Sequence, residues 1–272
     1  MFRKLLKHEF LATRGLLGTL SCAALFLCVP GGLALRLLIH LLKNRPSDEV
    51  VASFGIIGLF FALLFMVFAL GAYALGVQIY LCWRFYKHKF TDEGYLTFTL
   101  PATCTQIYLS SYCSMLIWSV ISGLVVLVSA NLIALIGAGE YILKPETLNE
   151  IISAFQWILT GYDQIAEPIL LCTAIMLALL SAPAIPMVCI TLGAVLAKKH
   201  KILMAFVMYY ALSTILSFIQ SVLTVFLGLV LDSEPILYFN LSTLLPCVLS
   251  AVLAVGGSTL SILLTQHRLN LP

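Results

Sequence analysis

An all-α, polytopic membrane fold with six spans follows from three observations. The chain carries six long apolar runs, its charges gather in the gaps between them, and its composition is too apolar to cover a water-facing surface. Of 272 residues, 61% are hydrophobic and 10% charged, where soluble domains show roughly 45–50% and about 25%. Lipid is therefore the expected solvent, and residues 1–272 read as a single transmembrane domain. The uncharged runs are Gly15–Leu35 (in a span of about 15–42), Val50–Trp83, Ile107–Ile136, Ile169–Ala197, Ile202–Leu231 and Thr243–Thr265. Each reaches the roughly 20 residues that a helix needs to cross hydrocarbon. Lipid-facing amides must be satisfied within their own segment, so the spans are helices. The short alternating segments of a barrel are not visible.

Taken in order, residues 2–14 come first. Phe2, Leu5, Leu6 and Phe10 share one helical face, with Arg3, Lys7 and Arg14 beside it. That pattern suits an interfacial helix on anionic lipid, the alternative being a plain basic flank that fixes topology. Two residues break the pattern: Glu9 lies on the apolar side and Leu11 on the polar side. The first apolar run is too long for a cleaved leader and shows no small-x-small site, so it is expected to remain as a span. The second run, 34 residues from Val50 to Trp83, would measure about 51 Å against a hydrocarbon core of ~30 Å. Its end near Gln78–Trp83 is expected to stand clear of the bilayer, where the polar stretch 84–106 begins. In the loop 137–168, Leu148, Ile151, Ile152, Phe155, Ile158 and Leu159 follow helical spacing after Pro145, which predicts a short amphipathic helix. It would serve as a connector or as a lid over a substrate path. On the last span Ser250, Ala254 and Ser258 recur every four residues, with Gly257 and Ser261 on the adjoining stripe. Such stripes let helices approach closely, first within the bundle and second between copies.

Orientation follows from Lys and Arg. Six spans put both termini on one side, together with 84–106 and 198–201. That side holds Arg3, Lys4, Lys7, Arg14, Arg84, Lys87, Lys89, Lys198, Lys199, Lys201 and Arg268, which is 11 of the 15 basic residues. The other side keeps Arg36, Lys43, Arg45 and Lys144 and takes 9 of the 12 acids. The positive-inside rule then places both termini in the cytoplasm. The net charge of +3 hides this asymmetry and implies no nucleic-acid partner.

Several chemistries lack their residues. The eight cysteines form no C-x-x-C, and the five histidines are scattered at span ends, so no metal site is expected. No G-x-x-x-x-G-K-[ST], H-E-x-x-H or G-x-S-x-G occurs, and no catalytic residue is nominated. The interior polar residues are neutral (Gln78, Asn131, Gln220 and many Ser and Thr), and Arg36 lies near enough to the outer surface to snorkel. Proton-driven carriers place a titrating group at mid-depth, so a pathway through these spans would draw its energy from elsewhere.

The segment 84–101 begins basic and aromatic (Arg84, Phe85, Tyr86, Lys87). It turns acidic at Asp92-Glu93-Gly94, then runs Tyr95, Leu96, Phe98 and Leu100 to Pro101. Thr91 or Asp92 can cap a short helix there, whose aromatic side chains fit a protein partner or the inner leaflet. At these residues the chain resembles an ABC-2-type transporter permease, of the small Firmicutes kind encoded beside a separate ATPase. The resemblance rests on the opening FRKLLKHEFLATRG and the loop FYKHKFTDEGYLTFTLP; the later spans match only in pattern. Ala102-Thr103-Cys104 departs from the Val-Ser or Val-Thr expected after Pro101.

The resemblance implies a permease subunit in the cell membrane that exports a peptide, lipid or drug-like amphiphile. ATP and Mg would be bound by the partner ATPase, with no cofactor in this chain. A second permease copy, identical or similar, would complete the membrane part. Thr91, Asp92, Glu93, Gly94, Tyr95, Leu96 and Phe98 would form the coupling helix that meets the ATPase. Lys198, Lys199 and Lys201 would add a second cytoplasmic contact, while Phe2, Arg3, Leu5, Leu6, Lys7 and Phe10 would rest on lipid. The competing readings are an ATP-independent transporter or channel, and a sensor or immunity subunit.

Overall fold

The computed structural model describes residues 2–44, 49–91, 93–94, 97, 99, 102–142, 144–160, 166–197, 200–231 and 235–268. Among them there is no strand. The helices are α1 Phe2–Phe26, α2 Cys28–Lys43, α3 Glu49–Phe90, α4 Cys104–Ile142, α5 Pro145–Thr160, α6 Ala166–Leu196, α7 Lys201–Val230 and α8 Pro235–Arg268. Six stretches are long and apolar enough to cross a membrane: Phe2–Lys43, Ser53–Phe90, Cys104–Tyr141, Cys172–Leu196, Lys201–Val230 and Leu241–Gln266. Their outward side chains suit lipid, since Phe54, Phe65 and Phe68 of α3 and Phe206, Phe218 and Leu229 of α7 are all exposed. The short helix expected after Pro145 is α5.

The chain divides into two compact units. One comprises residues 11–79 and 120–161. Within it α1 and α2 are separated by a single turn residue, Leu27. Pro30 causes the break, because it has no N–H to offer the Phe26 carbonyl and its ring crowds that group. Gly31 N–H resumes the ladder to Leu27 O at 3.4 Å. Glycines then bring α2 close to α4. A Cβ on Gly32 would stand 2.5 Å from Ile136 Cβ, and one on Gly137 would stand 2.6 Å from Leu35 Cβ. Arg36 pairs with Glu140 from α4, so its charge is met by a carboxylate. The Lys43 and Lys144 ammonium groups lie 5.7 and 5.4 Å from the Tyr141 ring centre.

The other unit comprises residues 1–10, 80–119 and 162–272. Its centre is α6, which packs on both α7 and α8 and buries Ala184, Met187, Cys189 and Thr191. Gly193 permits the first contact and Gly257 the second: a Cβ on either would stand 2.5 Å from Ala205 N or 2.7 Å from Val188 Cγ2. Ala254 and Ser261 are buried on the same side of α8, so the small-residue stripe serves packing within the chain. Pro183 and Pro186 sit inside α6. The Tyr112 hydroxyl donates to the Leu180 carbonyl, next to the Leu179 carbonyl that Pro183 leaves without its N–H.

Two helices run on where the sequence indicated breaks. α1 passes through Gly15 and Gly18 without interruption, so residues 2–14 are the first turns of a 25-residue helix. α3 continues past Trp83 to Phe90, for 42 residues, or about 63 Å. Hydropathy ends at Arg84 because the residues become charged; the backbone ladder has no reason to end there.

Candidate functional site

Of the residues singled out at the polar segment, Thr91, Glu93 and Gly94 meet at the basic end of α3. A helix leaves its last carbonyls without intrahelical partners, and the following segment supplies them. Thr91 Oγ1 donates to Lys87 O. Thr97 Oγ1 lies 3.0 Å from His88 O and 3.1 Å from Glu93 O. Gly94 N–H donates to Thr91 O at 2.8 Å. Thr91 thus closes α3, and its hydroxyl is not spent capping a following helix. Glu93, Gly94 and Thr97 are helical, so the chain makes a short helical turn against the end it has just left.

Gly94 is the pivot. A Cβ there would stand 2.6 Å from Lys89 O and 2.9 Å from Lys89 C, both main-chain atoms. No described residue has a positive φ, so the glycine is needed for space and not for a left-handed backbone. Glu93 is held by Lys87 Nζ at 3.0 Å and His88 Nδ1 at 3.2 Å. The hydrogen bond from Lys87, then the charges of Lys87, His88 and Arg84, hold its carboxyl below the ordinary range. The acid of the DEG motif therefore has basic neighbours within its own chain. Asp92, Tyr95, Leu96 and Phe98 lie outside the described residues.

The N-terminal helix reaches the same region. Glu9 Oε2 lies 3.6 Å from Arg84 Nε, with only 24% and 17% of the two side chains exposed. Ser111 Oγ donates to Glu9 Oε1 at 3.2 Å. The next residue, Phe10, stacks on Trp118 with ring centres 5.2 Å apart. These contacts explain why Glu9 stands on the apolar face: that face packs on protein. Phe2, Leu5, Leu6 and Phe10 are half-buried, whereas Arg3 and Lys7 are exposed.

Lys89, counted above only as a topology-setting cation, is 3% exposed. Its ammonium donates to Ile107 O at 2.7 Å and stands 5.1 and 5.8 Å from the ring centres of Phe85 and Tyr108. Neither hydropathy nor spacing marks it, because its partners lie in α4. Thr103 opens α4, its Oγ1 accepting from Gln106 N at 3.3 Å. Of the second basic group, Lys201 is the first residue of α7; Lys198 and Lys199 lie outside the described residues. Among the described residues no group of three His, Cys, Asp or Glu side chains could hold a metal, and all eight cysteines are free.

The architecture is that of a multi-pass α-helical membrane protein. The chain matches no family model, no curated protein and no solved structure.

Proposed function

We propose that this chain is the membrane permease subunit of an ATP-driven transporter of the ABC-2 type. Both termini lie in the cytoplasm, and the segment 91–100 couples the chain to a separate ATPase. The observation that carries the reading is the bracing of Glu93, Gly94 and Thr97 against the end of α3. It caps a helix some 30 Å longer than hydrocarbon requires, so it stands where a water-soluble partner can push on it. The helix is continuous over 42 residues, and force on its end would pass along its backbone ladder. The Glu9–Arg84 and Phe10–Trp118 contacts tie the N-terminal helix to the same end, so one partner can bias three helices together. A second permease copy would complete the pathway, and the cargo would be a peptide, lipid or drug-like amphiphile. The test is co-purification of the full chain from membranes with the ATPase encoded beside it, retained through size exclusion and lost on Tyr95→Ala/Phe98→Ala. Failure of the wild-type chain to retain any ATPase removes the proposal.

A further inference from the structure

Beside the braced turn, Lys89 borders a cavity of about 10 Å³ lined by Phe85, Phe90, Cys104, Ile107, Tyr108 and Thr265. That is room for roughly one water-sized particle. Among the described residues, the lining offers donors and no carboxylate. The Lys89 ammonium has three N–H groups, of which Ile107 O takes one. The Tyr108 hydroxyl is buried and lies near the Ser261 hydroxyl, yet among the described residues neither meets a group in hydrogen-bond geometry. Thr265 Oγ1 already donates to Ser261 O at 2.6 Å.

Charge points the same way. Among the described carboxylates, the one that acts on Lys89 through space is Glu9, and Glu9 already serves Arg84 and Ser111. Among the described residues, Lys89 shares Glu9 with Arg84 and has no carboxylate of its own in contact. Buried charge without compensation costs several kcal/mol. Water could accept from Lys89 and from Tyr108, but the Lys89 charge would remain.

We infer that this cavity is a binding site for one small monovalent anion, a halide such as chloride, held by Lys89 Nζ and the Tyr108 hydroxyl. The ion would neutralise Lys89 and join the end of α3 to the start of α4 and the end of α8. This inference stands apart from the transporter reading and survives its failure.

The experiment uses the full chain in detergent, in sodium chloride, bromide or gluconate at matched ionic strength. Saturable broadening of the ³⁵Cl resonance, competed by bromide, is expected for the wild type. Each tenfold rise in chloride above its dissociation constant should raise Tm by roughly 3–5 °C, while gluconate, too large for the cavity, should not. Lys89→Met should abolish both effects. Tyr108→Phe, which keeps the ring, should weaken chloride binding several-fold and decides the matter if the Lys89 variant does not fold. Equal Tm in chloride and gluconate with no saturable broadening would overturn the site in favour of water. Chloride dependence that persists in Lys89→Met would overturn it as well, placing the ion elsewhere.

Discussion

Gly94→Ala perturbs the braced turn with a single methyl group. The added carbon would sit 2.6 Å from Lys89 O and 2.9 Å from Lys89 C, so the turn must open by at least a few tenths of an ångström. Both obstacles are main chain at a helix end, and no rotamer change relieves them. Overpacking of this kind costs about 1–3 kcal/mol. The ties that oppose opening are of similar size. Gly94 N–H to Thr91 O and the Thr97 hydroxyl contacts are worth about 0.5–1.5 kcal/mol each, and the exposed Lys87–Glu93 pair adds little in water. The substitution should therefore open the turn locally while the spans stay folded. Hydrogen exchange at the Gly94-position amide should accelerate roughly 5- to 150-fold, with α8 amides unchanged. Wild-type protection of that amide in the alanine variant would refute the idea that lack of space fixes the glycine.

Other outcomes follow from the same contacts. Glu9→Gln should cost about 1–3 kcal/mol and lower Tm by roughly 2–10 °C, because it strands the largely buried Arg84; Glu9→Gln/Arg84→Met should cost less than the sum of the single changes by thermal unfolding. Gly137→Ala should destabilise by about 1–3 kcal/mol through Leu35, whereas Gly139→Ala in the same helix meets nothing within 4 Å and should be neutral or stabilising in the same melts. The Glu93 carboxyl sits below its unfolded pKa, so its stabilisation of the turn is present above the unfolded value and is lost as pH falls through the folded one. Protection of the Gly94 amide, corrected for intrinsic exchange, should hold from neutrality down to the ordinary carboxylate range and decline below it, and Glu93→Gln should remove that decline.

The spans were legible because hydrocarbon imposes a constraint that composition alone satisfies: long uncharged runs interrupted only where the chain leaves the bilayer. Helix ends were not, since they depend on carbonyl partners. Nothing local indicates that α3 persists through Arg84, Lys87 and Lys89 until Thr91 and Thr97 cap it. The same holds for α1, where Gly15 and Gly18 resemble breakpoints but Pro30 supplies the actual one. At the site, the segment around Glu93 and Gly94 stood out by charge and composition. Its bracing did not, because Glu9 is 75 positions from Arg84 and 102 from Ser111. One signal was present: an acid on an otherwise apolar face needs a partner, and Glu9 was out of place until Arg84 was found beside it. Lys89 gave no such signal, since a cation among cations reads as solvated.

The most direct measurement is ATP hydrolysis by the neighbouring ATPase in vesicles, with wild-type chain or with Tyr95→Ala/Phe98→Ala. Aromatic anchors of this kind are worth about 2 kcal/mol or more each when truncated. The wild-type chain should bind the ATPase and stimulate turnover, and the double variant should fold yet bind at least roughly 30-fold more weakly and lose the stimulation. Stimulation by the double variant equal to that of wild type would contradict a coupling role for this segment and leave it a connector at the membrane surface.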